Sequence, residues 1–430
     1  GGADHRSRLS GSGAMADPVR DQYEAYPYPS RDPKDEKRRL IEGSPSHILE
    51  INHYVFAGGR DFRAPFRALF AGGGTGDGLI MLAQQLADAG SPAELVHLDL
   101  STASRRIAEA RAAARNLDRI RFVTAPIEAI PTLDLGRFDY IDCCGVLHHL
   151  PDPEAGLRHL AAALAPGGGM GLMVYGALGR TGVYPMQSLI RAIAPADDAA
   201  DRIAVARRLL RHLPSTNWLA RNPAVGDHLN QGDAGLYDLL LHAQDRAYLV
   251  PALRDLLEGA GLALAGFVEP WRYRPESYVS DRLLQARFSA LDPWGRAAAA
   301  EILAGNLKTH MFYAVPLARA GTCVADGSRP EAVPVLRGID GPGFARQLKP
   351  GGTLTLKSDG LELRFPTPAG AGPILAEIDG RRSRAEIGER LRAAEPGRWQ
   401  GARFDAAFEA TSSFFTGLNR LFFGGLPGGS

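Results

Sequence analysis

The chain has 430 residues and a formal net charge of +1, from 49 basic and 48 acidic side chains. The length exceeds one ordinary domain, so we expect two, and the balanced charge argues against the broad basic surface of a nucleic-acid-binding protein. The three cysteines have no zinc-site or disulfide-framework spacing, and no apolar run approaches the roughly 20 residues needed to cross a bilayer. We therefore expect a cytoplasmic protein without membrane contacts.

The N-terminal region is predicted to form an arm over residues 15–63. Residues 1–14 are polar and glycine-rich ahead of Met15, and we interpret them as a cloning remnant. Within the arm, Tyr-Glu-Ala-Tyr-Pro-Tyr-Pro at residues 23–29 begins as a helix and becomes extended at the prolines. Tyrosine rings with a hydroxyl at one edge suit a lid over a cofactor or an acceptor. The alternative is an arm that only packs on the sheet.

A glycine-rich turn follows the first predicted strand. The apolar run at residues 68–71 ends in Gly-Gly-Gly-Thr-Gly-Asp-Gly at residues 72–78, and an amphipathic helix is predicted over residues 79–89. Turn glycines let a ligand approach the main chain, and the helix start offers unpaired N–H groups. The spacing fits neither G-x-G-x-x-G, because Asp77 replaces the third glycine, nor the phosphate loop.

The second predicted strand, residues 95–100, ends in an acid. At that position the carboxylate of Asp99 can accept both ribose hydroxyls of a nucleoside held over the glycine turn. The alternative is that Asp99 caps the helix that begins near Ser101.

Later landmarks point to one family. Residues 120–125 predict a third strand before Pro-Ile-Glu, residues 138–150 read Phe-Asp-Tyr-Ile-Asp-Cys-Cys-Gly-Val-Leu-His-His-Leu, and residues 164–175 read Leu-Ala-Pro-Gly-Gly-Gly-Met-Gly-Leu-Met-Val-Tyr. With the glycine turn, this order resembles class I S-adenosylmethionine-dependent methyltransferases. The resemblance implies an α/β, Rossmann-like sheet, S-adenosyl-L-methionine as cofactor and S-adenosyl-L-homocysteine as product.

From the resemblance and from the ends of the strands we predict the cofactor-binding residues. They are Gly72, Gly73, Gly74, Thr75, Gly76, Asp77, Asp99, Leu100, Ile127, Glu128, Asp142 and Gly145. Many relatives have an acid where this chain has Phe70, and that acid helps to hold the charged methionine end of the cofactor. Asp142 lies on the strand that neighbours the first in the family's order, so we expect it to replace that acid. Ile127 is expected against the adenine ring, with the adenine amine left to Glu128 or to backbone carbonyls.

The methyltransferase domain is predicted over residues 64–318, with a helical insertion at residues 180–248 that serves as a lid. Residues 238–248 are predicted as a helix with a polar cluster that ends in Tyr248; the alternative is a surface cluster around Asp245 and Arg246. The acceptor-site candidates are Tyr26, Tyr175, His242, Arg246 and Tyr248. The candidate catalytic residues are His149, Tyr28 and His53, with Tyr26 and Tyr175 as further possible bases. We expect His148 to be a packing residue, and no metal site is predicted.

After a linker at residues 319–334, residues 335–430 predict a small α+β, winged-helix-like domain, with aromatic residues at 414–423 that dock on the body or on a partner. Methyltransferases that act on protein lysine carry comparable tails, so an O- or N-methyltransferase with a protein or peptide acceptor is favoured. A small-molecule, natural-product methyltransferase and a non-catalytic cofactor-binding module are the alternatives. A nucleic-acid acceptor is disfavoured, because the Asn/Asp-Pro-Pro-aromatic signature is missing.

Overall fold

The computed structural model describes residues 17–195 and 198–428, so the predicted cloning remnant lies outside the described residues. A mixed sheet of seven strands forms the centre of the fold. In chain order the strands are β1 (Arg67–Ala71), β2 (Glu94–Asp99), β3 (Ile120–Thr124), β4 (Phe138–Cys144), β5 (Leu164–Tyr175), β6 (Leu262–Phe267) and β7 (Thr309–Pro316). Their spatial order is β3-β2-β1-β4-β5-β7-β6, and β7 runs antiparallel to both of its neighbours.

The strand order reverses between β1 and β4, because the chain builds outward through β2 and β3 and then returns to the other side of β1. Open α/β sheets bind ligands at the carboxyl ends of the strands at such a switch point. The expected α/β, Rossmann-like class I fold is confirmed.

Helices cover both faces of the sheet. The first nine are α1 (Pro18–Ala25), α2 (Ile48–Val55), α3 (Asp77–Asp88), α4 (Thr102–Ala114), α5 (Pro153–Ala162), α6 (Val183–Ile193), α7 (Ala199–Leu210), α8 (Asp227–Asn230) and α9 (Gly232–Leu236), and they are followed later by α10 (Val250–Gly259), α11 (Arg282–Ser289) and α12 (Pro293–Ala304). Helices α2, α3 and α4 bury apolar residues against one face, and α5, α10 and α12 bury theirs against the other. Among the described residues, no helix combines the length and the apolar character that crossing a bilayer requires.

Helices α6 to α9 follow β5 and precede α10 in the chain, and they pack around a separate apolar core. The helix predicted over residues 238–248 is wrong in its second half: a π-helical turn, Tyr237–Leu241, follows α9, and the chain leaves helical geometry at His242 (ψ 135°). Here the His242 Nδ1 atom accepts the backbone N–H of Gln244 at 3.1 Å, a local bond that competes with continued helix.

The C-terminal part contains β8 (Pro334–Leu336), α13 (Gly341–Gln347), β9 (Thr353–Ser358), β10 (Leu361–Pro366), α14 (Ala371–Glu377), α15 (Arg384–Ala394), α16 (Arg403–Gly417) and β11 (Leu421–Phe423). Strands β9 and β10 form an antiparallel hairpin, and β11 pairs with β8. Phe422 is fully buried in the same apolar cluster as residues of α2, so the aromatic end of the chain docks on the body of the protein.

Candidate active site

A cavity of about 870 Å³ lies at the carboxyl ends of β1, β2 and β4. Cofactor and ligand sites are typically about 300–1,000 Å³, so the cavity has room for a nucleoside-sized ligand. The glycine turn, the ends of β2 and β4, residues 125–128 and parts of the N-terminal arm form its wall.

The glycine turn is closely packed beneath the cavity. Gly72 has a φ of +73°, which favours glycine, and a Cβ at this position would lie 2.3 Å from a methyl carbon of Val146. The N–H groups of Gly72 and Gly73 both donate to the carbonyl of Leu98, at 2.7 and 3.1 Å. The turn is therefore a fixed cradle that allows a ligand to approach the main chain.

The carboxylate of Asp99 faces this cradle at the end of β2. One oxygen accepts the N–H of Gly74 at 2.7 Å and the other accepts the N–H of Ser101 at 2.8 Å, so each keeps a lone pair for a further hydrogen bond. Burial raises the pKa of Asp99. The alternative role as helix cap does not apply, because the hydroxyl of Ser101 caps α4 through the N–H of Ser104.

Asp142 stands beside Phe70 in the register of β4 with β1, and it lines the cavity. Its carboxylate accepts a hydrogen bond from the hydroxyl of the fully buried Ser46. Burial raises the pKa of Asp142 to about 7. Among the described residues, no Lys or Arg side chain forms an ion pair with this carboxylate, so a positively charged ligand group would meet an unpaired acid here.

Asp77 also lines the cavity, but its carboxylate is already engaged. It forms ion pairs with Arg31 at 2.6 Å and with Arg111 at 2.7 Å, and Arg111 also binds Glu36 at 2.7 Å. Burial raises the pKa of Asp77, but the hydrogen bonds and charges of the two arginines outweigh it and hold the pKa below its usual value. The carboxylate of Asp77 therefore ties the N-terminal arm to the glycine turn, and the prediction that Asp77 belongs to the cofactor site stays a prediction.

A polar cluster lies at another part of the cavity wall. Asp238, on the π-helical turn, accepts a hydrogen bond from the hydroxyl of Tyr23 at 2.9 Å and one from that of Tyr175 at 3.0 Å. All three line the cavity together with His149. Sequence reasoning missed Tyr23 and Asp238, although both belong to segments it had singled out, because only the folded chain brings the arm and the insertion together.

The hydrogen bonds of His149 fix its tautomer. The His149 Nδ1 atom lies 2.8 Å from the carbonyl oxygen of Gln244, which can only accept, so Nδ1 carries the proton and Nε2 keeps the lone pair. Burial lowers the pKa of His149 and favours the neutral ring, although the negative charge of Asp238 opposes that shift. His149 can therefore accept a proton at Nε2.

His242 stacks on His149 with 3.7 Å between ring centroids. Ligand atoms of these two rings and of Asp238 lie within 4.8 Å of one another, as in some metal sites. However, the His242 Nδ1 atom accepts the N–H of Gln244, so in the neutral ring Nε2 carries the proton and lies 3.2 Å from the hydroxyl of Tyr23. That nitrogen donates a hydrogen bond, and the cluster is held together by hydrogen bonds.

Several predicted residues lie elsewhere, and these predictions are corrected. His53 packs against Phe422 and Phe423 and accepts the N–H of Phe423 at 3.1 Å, because the C-terminal strand covers it. Tyr26 stacks on Tyr237 in the core of the insertion, with 5.2 Å between ring centroids. Neither residue lines the cavity.

The polar residues predicted beyond His242 are also displaced from the cavity, since the helix that would carry them ends at Leu241. Arg246 donates to backbone carbonyls of the loop after β4, and Tyr248 joins the edge of β5 through its main chain. Asp245 is buried in an ion pair with Arg180 at 2.7 Å, which excludes the predicted surface cluster.

Other predicted residues do line the cavity: Tyr28, Tyr175, Leu100, Ile127, Glu128 and Gly145, with Thr75, Gly74 and Gly76 of the turn. The hydroxyl of Tyr28 donates a hydrogen bond to the carboxylate of Asp227 at 3.1 Å. The ring of His148 stacks on that of Tyr175 at 3.8 Å and is fully buried, in keeping with the packing role expected for it.

Comparisons with known proteins agree with this geometry. A family model described as a methyltransferase domain matches residues 69–170. The uncharacterized protein syc1184_c from Synechococcus sp. is 33% identical over 323 residues, which cover 72% of this chain and 74% of that protein. The ubiquinone biosynthesis O-methyltransferase from Psychrobacter cryohalolentis is 35% identical over 96 residues, which cover 22% of this chain and 36% of that enzyme.

Among solved structures, PKMT2 from Rickettsia typhi superposes with a TM-score of 0.58 and 15% identity over 88% of this chain and 76% of that one, which supports the fold. The switch-point cavity, the glycine cradle and the matched domain define a class I S-adenosylmethionine-dependent methyltransferase. The residues fit that cofactor, because the cradle would be filled by a Cβ at Gly72 and the carboxylate of Asp99 keeps free lone pairs. Within this class, the chain belongs to the family of the Synechococcus protein syc1184_c.

Proposed function

We propose that the protein methylates an amine nitrogen, and that the acceptor is the lysine side chain of a protein or peptide. One observation carries the proposal: among the described residues, the cavity is lined by seven acids and by no lysine or arginine. The acids are Asp17, Glu42, Asp77, Asp99, Glu128, Asp142 and Asp238, and among the described ion pairs Asp77 alone of these is already neutralised by arginines, which leaves six acids without a Lys or Arg partner. Such a wall attracts cations, and lysine provides the ammonium among the ordinary methyl acceptors of proteins.

Asp238 is the proposed binding site for this ammonium. It is a buried carboxylate held by two phenol hydroxyls, while the nearby Arg180 is paired with Asp245 instead. Burying a carboxylate is costly unless an opposite charge and hydrogen-bond donors compensate. An ammonium supplies both an opposite charge and hydrogen-bond donors, and the ring of Tyr23 adds apolar and aromatic contact. The ring of Tyr175 is already in contact with His148 and with the guanidinium of Arg180, so Tyr175 contributes through its hydroxyl. A phenolate acceptor would instead meet like charge.

The same cavity would hold the cofactor. The carboxylate of Asp99 would accept the ribose hydroxyls, Ile127 would pack against the adenine, and Asp142 would hold the amino group of the methionine end. When bound, S-adenosylmethionine supplies a methyl group activated by a sulfonium. The chain itself then positions the acceptor nitrogen in line with the methyl–sulfur bond and keeps water out.

The protonated amine must lose a proton before its nitrogen can attack. His149 is the proposed base, because its Nε2 atom holds a lone pair at the cavity wall and Asp238 stabilises the imidazolium that forms. The nitrogen lone pair would then form the new bond to the methyl carbon while the carbon–sulfur bond breaks, and the sulfur would keep that electron pair.

A second candidate is O-methylation of a small phenol. It is favoured by the same neutral His149, which could deprotonate a hydroxyl, and by the 96-residue match to an enzyme named for ubiquinone biosynthesis. The acidic wall disfavours it, because the acceptor becomes anionic in the reaction.

The test is an acceptor screen with the full chain and S-adenosylmethionine, in which formation of S-adenosylhomocysteine is measured. Lysine-containing peptides, small primary amines and catechols form the panel. We expect turnover of lysine peptides, and Asp238→Asn should raise the KM for the amine by about tenfold or more while leaving cofactor affinity intact. The matched control is Asp233→Asn, a half-exposed acid on the same insertion. Turnover of catechols without turnover of any amine would refute the proposal.

A further inference from the structure

The C-terminal domain reaches the cofactor cavity through one buried acid. Glu50, on α2, has no exposed surface, and it receives hydrogen bonds from two residues of the C-terminal part: Arg337, just after β8, and Asn419, just before β11. The Asn419 side chain lies 2.8 Å from the Glu50 carboxylate. Arg337 is the one cationic partner of Glu50 among the described ion pairs.

The same two residues hold the segment that we call the cavity loop, residues 41–46. Arg337 donates to the carbonyl of Gly43 at 2.7 Å and to the hydroxyl of Ser44 at 3.3 Å, and Asn419 also donates to that hydroxyl at 3.3 Å. Residues 41–45 of the loop line the cavity. The guanidinium of Arg337 therefore links the cavity loop, at Gly43 and Ser44, to the buried carboxylate of Glu50.

The chain of contacts continues to Asp142. The hydroxyl of Tyr313 donates to Glu50 at 2.5 Å and accepts the N–H of Ser46 at 2.9 Å. The hydroxyl of Ser46 in turn donates to the carboxylate of Asp142. Ser46 has a φ of +85°, unusual for a residue other than glycine, so its backbone must be held in place by its surroundings.

We propose that Arg337 and Asn419 are positioning residues for the cofactor, so that the C-terminal domain forms part of the cofactor site by fixing the cavity loop and, through Ser46, the carboxylate of Asp142. This inference rests on the proposed placement of the methionine amino group at Asp142. It gives the C-terminal domain a defined role: among the described residues, the hydrogen bonds from that domain to Gly43 and Ser44 come from these two side chains.

Arg337→Lys is the decisive variant. Lysine keeps a positive charge beside Glu50, so the fold is retained, but a single ammonium cannot reproduce the fork that reaches Gly43 and Glu50 together. We expect the Kd for S-adenosylhomocysteine, measured by calorimetry, and the KM for S-adenosylmethionine to rise by about tenfold, as when outer contacts of other ligand sites are removed. The KM for the acceptor and the Tm should change little. Arg382→Lys, which alters an arginine paired with Glu377 in the same domain, is the matched control.

A second variant separates positioning from charge compensation. In Glu50→Gln with Arg337→Gln the buried pair is replaced by neutral groups, so the Tm should stay near that of the wild type, while the bond to Gly43 is lost and cofactor binding stays weak. Wild-type affinity in this double variant, or in Arg337→Lys, would overturn the inference.

Asp142→Asn distinguishes the two proposals. If it binds normally while Arg337→Lys binds weakly, the placement of the amino group is wrong and the positioning by Arg337 stands; the reverse result overturns only the positioning.

Discussion

Cofactor affinity should depend on pH through Asp142. Burial raises the pKa of this carboxyl to about 7, so the group is mostly protonated at pH 6 and mostly ionised at pH 8. An amino group that carries a positive charge binds the ionised form. Protein molecules in which Asp142 is protonated therefore do not bind the ligand, and the apparent Kd equals the intrinsic Kd divided by the fraction in which Asp142 is ionised.

The expected magnitude follows from that pKa. The ionised fraction is about one-eleventh at pH 6 and about ten-elevenths at pH 8, so the Kd for S-adenosylhomocysteine should fall about tenfold, or about 1.4 kcal/mol, as the pH rises. The sign is fixed by the raised pKa: affinity is lost as the pH falls through about 7. Ionisation of a carboxyl with an ordinary pKa would be complete below pH 6 and would leave no such dependence.

The assay is isothermal titration calorimetry of the full chain at half-unit steps from pH 6 to pH 8. Asp142→Asn is the control, because an amide does not titrate, and it should bind weakly with a nearly flat profile. His97, Asp99 and His149 are also buried groups at or beside the cavity whose pKa values are shifted, so a slope that persists in this variant is assigned to these groups and not to Asp142. A wild-type profile that is flat, or that slopes the other way, would refute the reasoning about Asp142.

Four further changes have definite expected results. His149→Gln should lower kcat by about 10²–10⁴-fold and leave the Kd for S-adenosylhomocysteine unchanged. A wild-type kcat in this variant would show that His149 is not the base. Tyr23→Phe removes one donor to Asp238 and should raise the acceptor KM alone; a changed cofactor Kd would contradict this. Gly72→Ala would put a Cβ at a left-handed φ and against Val146, so the free energy of unfolding should fall by about 1–3 kcal/mol in thermal unfolding. An unchanged Tm would contradict this close packing. Chelation with EDTA should leave turnover unchanged, because Nε2 of His242 carries its proton; loss of activity restored by a divalent metal would contradict the tautomer.

The fold was largely predictable because its signals are local. A strand that ends in a glycine turn, a carboxylate at the end of the next strand and alternating strands and helices specify each step of the sheet within a few residues of chain. The N-cap of α4 at Ser101 and the capped helix after Ser383 follow from the same short-range chemistry.

The proposed acceptor site was only partly predictable, since its members come from distant parts of the chain. Periodicity placed His242, Arg246 and Tyr248 on one helix, but the helix ends at Leu241 because a side chain of the segment bonds its own backbone. His53 looked available in sequence, yet the C-terminal strand lies against it.

The sequence by itself determined the methyltransferase sheet, the glycine turn that lines the cavity and the position of Asp99, because backbone conformation and strand ends depend on neighbouring residues. Only the tertiary structure decided which carboxylates are free and which are paired: Asp77 is taken by Arg31 and Arg111, whereas Asp142 and Asp238 have no cationic partner among the described residues. Ion pairing acts over a few ångströms in space and has no counterpart in sequence spacing. For the same reason the link from Arg337 to the cavity becomes visible only in the folded chain.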